Sequence, residues 1–533
     1  MTLQPKSVAP NHDQGSLYPL TPEFPEDYNA SAILFDNLAA GRGGRIALRS
    51  DLGDRTYDQI CADAGRFGNA LLSLGLTPGD RVLLFLDDTP VYAAAFFGAL
   101  RAGLVPMLIN TLSPADSVRF FLEDSNARVA VVDAVFTDLF SPETLAGTSC
   151  ETVIVTNGDA PAGCHGQAWI ETFPAELAAV PVGPEAMAFW MYSSGSTGRP
   201  KGVVHRHCDM AYTVEGYARP VLAMTEEDCC FSIPKIFFAY GFGNSLTFPF
   251  SVGASALLLS GRPTPSRIYN QIARHRPTIL FGLPTLYTAM IKDDSAALAD
   301  LTSVRLCISA AEILSEDVFE SWRGRFGHRI VEGLGSTEVL HIYLTNSEDW
   351  QKPGSAGQCA PGYEVKLADS DGVIVPEGEE GIMWVRGGSN ALTYWNRPDK
   401  TAETMRDGWI YTGDRFTRDE DGFYFFRGRA DDLVKVSGQW VYPLEIELAL
   451  AEHPMVRECA VLAIEMADRR TTLKAWVVAE RDAVSGPALT KQLQDYLKHE
   501  LLPYKYPRSI DYLDSLPKTG TDKIDRQALR SRE

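Results

Sequence analysis

Tyr192-Ser193-Ser194-Gly195-Ser196-Thr197-Gly198-Arg199-Pro200-Lys201-Gly202-Val203 follows directly on the apolar run Met187 to Met191. The run reads as a buried strand and the stretch after it as a loop. In that loop three glycines and the hydroxyls of Ser193, Ser194, Ser196 and Thr197 crowd around Lys201, with Arg199 beside it. Glycines let backbone N–H groups turn toward a ligand, hydroxyls add donors and cations balance charge, so the loop has the chemistry of a phosphate cradle. It is not a Walker A loop, because Lys201 stands between Pro200 and Gly202 rather than in Gly-Lys-Ser/Thr. By composition alone, a flexible linker is the competing reading.

Outward from the loop, helix and strand signals alternate. Tyr57 to Leu74 reads as an amphipathic helix, Arg81 to Leu86 as a strand and Val91 to Ala102 as a small-residue helix. Val105 to Ile109, Val129 to Val132 and Thr152 to Val155 read as strands, and Phe248 to Leu259, Thr278 to Phe281 and Val304 to Ser309 as strand-like segments of a second layer. This alternation predicts parallel α/β units. Past Gly354, turn pairs such as Asp371-Gly372 and Asp421-Gly422 separate short strands at Glu364 to Leu367, Gly381 to Val385 and Gly422 to Phe426, a small β-rich subdomain. Helix signals at Pro443 to Leu450 and Leu489 to Leu501, with apolar runs at Ala460 to Ile464 and Lys474 to Val478, predict a separate small α+β domain. The expected fold class is therefore α/β. Residues 1–28 form an arm, 29–428 a large N-terminal domain of α/β subdomains with the β-rich one, and 433–533 a C-terminal domain, with the boundary at 429–432.

A chain of 533 residues is too long for one core, and 45% hydrophobic with 22% charged residues is ordinary globular composition. The net charge of −20, from 69 acids against 49 bases, argues against a broad nucleic-acid or anionic-membrane surface. Nine cysteines without a Cys-x-x-Cys pair fit a reducing cytoplasm, not a disulfide framework. The first residues show no basic-then-apolar signal pattern, and no apolar run is long enough for a bilayer. The expectation is a cytoplasmic protein with neither nucleic acid nor membrane as partner, for which a homodimer stays open.

Six stretches in order resemble the motifs of the adenylate-forming superfamily, which includes acyl- and aryl-CoA synthetases, luciferase and peptide-synthetase adenylation domains. The loop itself is the first, and the resemblance implies that Ser193 through Gly198 and Lys201 wrap the β- and γ-phosphates of ATP. In Gly333-Leu-Gly-Ser-Thr-Glu338 it assigns Thr337 to the α-phosphate and Glu338 to Mg²⁺, a hard cation that takes oxygen ligands. Ala310, Ala311 and Glu312, with Glu332 and Gly333, would border adenine; as a bare residue Glu312 could equally cap the next helix. In Tyr411-Thr-Gly-Asp414 the carboxylate of Asp414, joined by Arg429, would hold the ribose hydroxyls. Without its company, that tetrapeptide reads as a turn. In the stretch Gly428 to Gly438, Asp431 would be the hinge about which a mobile C-terminal domain rotates, Gly438 would let the pantetheine arm of coenzyme A pass, and Lys435 would meet a CoA phosphate. Lys523 in Pro517 to Arg526 would stabilise the charge shifting between the acid and the α-phosphate. Asp522 stands where the family has glycine, which leaves Lys518 as the fallback.

Within the superfamily, Phe237-Phe-Ala-Tyr-Gly-Phe-Gly243 with Ser336 to Ile342 resembles the benzoate-CoA ligase branch. Taken alone, the aromatic segment reads equally as plain core. The resemblance places His207, Ala239, Tyr240, Gly335, Leu340, His341 and Ile342 around a flat aryl slot. His205 with His207 as a metal pair is weaker, because no third ligand is evident. The function implied is ATP-dependent conversion of an aromatic carboxylate, benzoate or a hydroxy- or aminobenzoate, to its CoA thioester. The competing readings are a stand-alone enzyme that loads an aryl group onto a carrier protein, a luciferase-like oxygenase, and a nucleotide-binding protein with weak catalysis.

Overall fold

The computed structural model describes residues 20–193, 200–369, 371–430, 434–436, 439–466, 471–481, 483–502, 505–518 and 524–532. The chain divides into two compact units. Residues 1–366, 384–411 and 419–425 make up one; residues 367–383, 412–418 and 426–533 make up the other.

The first unit is built on two large sheets. In one, Ile330–Gly335, Leu306–Ser309, Ile279–Gly282, Cys229–Ser232, Ser255–Leu257 and Ile46–Arg49 run side by side in parallel. Ile342–Thr345 turns back antiparallel on Ile330–Gly335, and Gln358–Cys359 pairs outside it at the edge. In the other, Met187–Ser193, Val105–Leu108, Arg81–Phe85, Val129–Asp133 and Thr152–Thr156 are parallel. Lys201–Arg206 and Thr393–Tyr394 close that sheet antiparallel. Parallel strands arise because each helix returns the chain to the same end of the sheet.

Helices Tyr57–Ser73 and Pro90–Arg101 bury Ile60, Phe67, Phe96 and Phe97 in one apolar core with Leu84 of one sheet and Phe281 and Ile308 of the other. The opposite faces are covered by their own clusters, around Trp322 and around Trp190. With both faces buried, the strands read as nearly continuous apolar runs, which is why they were visible in the sequence.

The expected helix at Tyr57 starts on a capping box, with Thr56 accepting from Gln59 N. One expectation is corrected. Phe248 to Leu259 is not a single strand: Phe248–Val252 is helical, Gly253 ends it at φ +78°, and only Ser255–Leu257 is extended. Phe248–Val252 is the last part of a continuous helical run from Ala239 whose Gly243–Thr247 section is π-helical, and Gly253 accepts the left-handed cap.

The β-rich segments are Glu364–Ala368, Gly381–Arg386, Met405–Arg406, Trp409–Arg418 and Tyr424–Arg429. Tyr411 to Asp414 lies inside the ten-residue strand Trp409–Arg418, not in a turn; Gly413 at φ +73° bends the strand locally. In the second unit Val456–Glu465, Thr471–Ala479 and Ser509–Tyr512 form a sheet against helices Pro443–Ala451 and Pro487–Glu500, around Leu450, Val461, Leu493 and Leu497. Among the described residues no helix is long and apolar enough to cross a membrane.

Candidate active site

The strand Met187–Ser193 and its antiparallel partner Lys201–Arg206 are in register with Ser193 opposite Lys201. The hairpin therefore fixes both ends of the glycine-rich loop. Ser194, Gly195, Ser196, Thr197 and Gly198 lie outside the described residues. At one end the Ser193 hydroxyl is buried with no partner among the described residues. At the other, the Lys201 ammonium stands 4.3 Å from the ring centroid of Tyr394.

Tyr394 joins this hairpin to the sheet that contains Ile330–Gly335. Its strand pairs with Lys201–Arg206, and its hydroxyl donates to Glu338 Oε1 at 2.7 Å. Glu338 sits in the single helical turn Thr337–Val339 that follows the strand Ile330–Gly335. The backbone of that turn is held twice more. Ala391 N donates to the Glu338 carbonyl at 2.7 Å, and His205 Nε2 meets the Thr337 carbonyl at 2.8 Å. His205 is itself fully buried and pairs through Nδ1 with Asp209 at 3.0 Å. Lys201 from one motif and Thr337 with Glu338 from another are thus brought together.

The adenine candidates cluster at neighbouring strand ends. Ala310 is buried after strand Leu306–Ser309, while Ala311 is exposed at φ +71°. The Glu312 carboxylate accepts from Thr285 N at 3.1 Å, at the start of helix Pro284–Lys292. It therefore caps that helix, while the next one in the chain is capped by Ser315. Glu332 accepts from Leu314 N at 3.0 Å, and burial pushes its carboxyl up to about 8. Gly333 lies opposite Thr345 in the edge hairpin.

Ala239 and Tyr240 open the short helix Ala239–Phe242. A side chain at Gly241 would fall 2.1 Å from the Lys235 carbonyl oxygen, so the tight approach of this helix to its own loop requires glycine. The Tyr240 ring faces His341 at 5.7 Å and Phe281 at 6.1 Å. Its hydroxyl is buried beside Asn244, with no hydrogen-bond partner of good geometry among the described residues. His341 Nε2 contacts Asn244 Oδ1 at 3.2 Å, and the ring packs on Phe248 at 4.5 Å. Burial drives the His341 pKa down to about 3, so the ring is neutral at pH 7. Leu340 reaches this position through an unusual backbone, φ 71° and ψ −33°, and Ile342 begins the antiparallel strand beside Gly335. His207 is placed differently. Its Nδ1 accepts from Ala30 N at 3.0 Å and burial lowers its pKa to about 4, while His205, two residues earlier, is the histidine that reaches Thr337.

In the second unit Asp414 and Arg429 face each other at 3.2 Å from strands Trp409–Arg418 and Tyr424–Arg429. The Arg429 side chain is 41% exposed, so the pair orients the carboxylate more than it stabilises the fold. Lys435 lies in strand Val434–Val436, with its side chain outside the described residues. Asp431, Gly438, Asp522 and Lys523 also lie outside them.

Tyr394, Asn244 and the His205–Asp209 pair were not singled out as site residues from sequence. An isolated tyrosine or asparagine carries no spacing signal, and in Val203-Val-His-Arg-His207 either histidine was available.

A model of the AMP-binding enzyme family matches residues 35–395, and one of the AMP-binding enzyme C-terminal domain matches residues 445–523. The chain belongs to the AMP-binding enzyme family. It is 43% identical to the benzoate–CoA ligase of Thauera aromatica over 96% of this chain and 97% of that one. Among solved AMP-binding enzymes it resembles an anthranilate CoA ligase in complex with anthranoyl-AMP, with TM-score 0.89 and 36% identity over 96% of this chain and 98% of that one. A benzoate CoA ligase from Burkholderia xenovorans LB400 gives TM-score 0.87 and 38% identity over 94% and 100%. The site fits the family's ATP and Mg²⁺: among the described residues the buried hydroxyls of Ser193 and Ser336 and one Glu338 oxygen have no partner. A single carboxylate is enough, because Mg²⁺ in such sites takes its other ligands from phosphate and water.

Proposed function

We propose that this AMP-binding enzyme is an ATP-dependent aryl-CoA ligase whose acid is benzoate or a close ring-substituted relative. The observation that carries the reading is the convergence of Lys201, Thr337 and Glu338 around Tyr394, together with the aromatic wall of Tyr240 and His341. A benzoate carboxylate oxygen attacks the α-phosphorus of ATP, the bond to pyrophosphate breaks, and an aryl-adenylate forms. The thiolate of coenzyme A then attacks the acyl carbon and AMP leaves. Activation replaces oxide, a poor leaving group, by AMP.

Ser193 to Gly198 and Lys201 bind the outer phosphates, Thr337 the α-phosphate, and Glu338 holds Mg²⁺, which when bound neutralises phosphate charge. Ala310, Ala311, Glu312, Glu332 and Gly333 border the adenine, and Asp414 with Arg429 holds the ribose. Ala239, Tyr240, Gly335, Leu340, His341 and Ile342 line the ring slot, while His207 is turned to Ala30. Lys523 serves adenylation, Gly438 and Lys435 serve coenzyme A, and Asp431 is the hinge between the large domain and residues 433–533. All nine cysteines are free thiols, which supports a reducing compartment such as the cytoplasm.

The likeness to a benzoate–CoA ligase, at 43% identity, favours benzoate as the acid. The test is AMP release with ATP and coenzyme A over benzoate, its hydroxy and amino derivatives, cyclohexanecarboxylate and acetate. Benzoate is expected to give the highest kcat/KM. Turnover of aliphatic acids alone would refute the aryl slot, and aryl-adenylate formed without any thioester would point to a carrier protein as acceptor.

A further inference from the structure

Tyr394 lies in none of the six motifs, yet it touches two residues from different ones. Its ring is buried, 2% exposed, among Val203, Ala391 and Met405. Its backbone is tied at both polar groups: the N–H donates to Thr401 Oγ1 at 3.0 Å, and the carbonyl accepts from Arg397 N at 3.2 Å. From this fixed base the ring face receives the Lys201 ammonium at 4.3 Å while the hydroxyl bonds the Glu338 carboxylate at 2.7 Å. A tyrosine filling a core needs neither contact. Lysine and glutamate are long, flexible side chains, and a rigid ring between them sets their separation where their own rotamers would not. With Oε1 bonded to tyrosine, Oε2 is the oxygen left for a metal ion.

We propose that Tyr394 is a positioning residue for aryl-adenylate formation, holding the metal-binding carboxylate of Glu338 and the phosphate-loop Lys201 in fixed relation. This rests on the ligase reading above. The two contacts act separately. The hydrogen bond to an ionised carboxylate orients Glu338, and the cation–π contact keeps the Lys201 ammonium at the mouth of the phosphate loop.

Tyr394→Phe keeps the ring and removes the hydroxyl; Tyr394→Leu removes both. Three quantities separate the roles in the full-length enzyme: benzoate-dependent exchange of pyrophosphate into ATP, Mn²⁺ binding by electron paramagnetic resonance with an α,β-methylene ATP analogue, and thioester formation from supplied benzoyl-adenylate and coenzyme A. In Tyr394→Phe the exchange kcat is expected to fall about tenfold, as for loss of one hydrogen bond to a charged group, with Mn²⁺ affinity several-fold weaker and KM for ATP unchanged. Tyr394→Leu is expected to raise KM for ATP several-fold as well. Both should make thioester from supplied adenylate at the wild-type rate, which also shows that they fold. Wild-type exchange and Mn²⁺ affinity in Tyr394→Phe would overturn the proposal, as would exchange and thioester formation falling in equal proportion. Failure of the ligase reading itself looks different: the wild-type protein would exchange no label with any aromatic acid.

Discussion

Asp88 is fully buried just after strand Arg81–Phe85, where its Oδ1 accepts from Ile236 N at 3.1 Å. Beside it, Asp87 pairs with Lys235 at 2.7 Å, so the two acids pin the loop that leads to Ala239 and Tyr240. Burial lifts the Asp88 pKa from 3.8 to about 7. The folded state therefore holds the proton more tightly than the unfolded chain. The stabilisation is complete below pH 4, falls away as pH rises from about 4 to 7, and is gone above that. Asp88→Asn keeps the acceptor and cannot ionise. Relative to wild type its denaturation midpoint should climb across that window, by up to roughly 2–4 kcal/mol in stability at pH 8; a difference that does not vary with pH would contradict this. Tyr240 offers a second residue-scale prediction. Its buried hydroxyl has no partner of good geometry among the described residues, so Tyr240→Phe should leave benzoate kcat/KM nearly unchanged and lower that of the preferred hydroxybenzoate about tenfold, measured by AMP release.

At the scale of elements, the helix Ala239–Phe242 folds back on its own loop, and the close approach at Gly241 makes that turn intolerant. A methyl there meets two backbone oxygens, those of Lys235 and Pro234, at 2.1 and 2.3 Å, and backbone cannot step aside as a side chain would. Gly241→Ala should cost about 1–3 kcal/mol and raise KM for benzoate far more than KM for ATP, read by thermal melting and initial rates. The elements themselves were unevenly legible. Strands Arg81–Phe85, Val105–Leu108 and Val129–Asp133 stood out because sheets covered on both faces demand unbroken apolar runs. Apolarity could not separate helix Phe248–Val252 from strand Ser255–Leu257, since both are buried; only Gly253 marked the break. Trp409–Arg418 buries every third residue, Ile410, Gly413 and Phe416, instead of every second, a pattern that hides a strand.

At the scale of the whole molecule, the proposed cycle divides its labour between the two half-reactions. Lys523→Ala removes a cation that acts on the charge shifting between carboxylate and α-phosphate, so benzoyl-adenylate formation should fall by about 10²–10³. Thioester formation from supplied adenylate should survive within a few-fold. Equal loss in both half-reactions, measured by rapid quench, would instead place Lys523 in the general support of the C-terminal domain.

The order of motifs, the glycine-rich loop and the alternation of elements are written in the chain itself, and they determined the family and the fold class. They could be read because glycine, proline, hydroxyl and apolar spacings act on the local backbone, whatever is packed against it. Tertiary structure alone decided which side chains meet. Tyr394 reaches Glu338 across 56 residues and His205 reaches Thr337 across 132, while His207 turns away to Ala30. Those contacts depend on how two sheets pack and on which way each side chain leaves its strand or turn, and no local spacing records either.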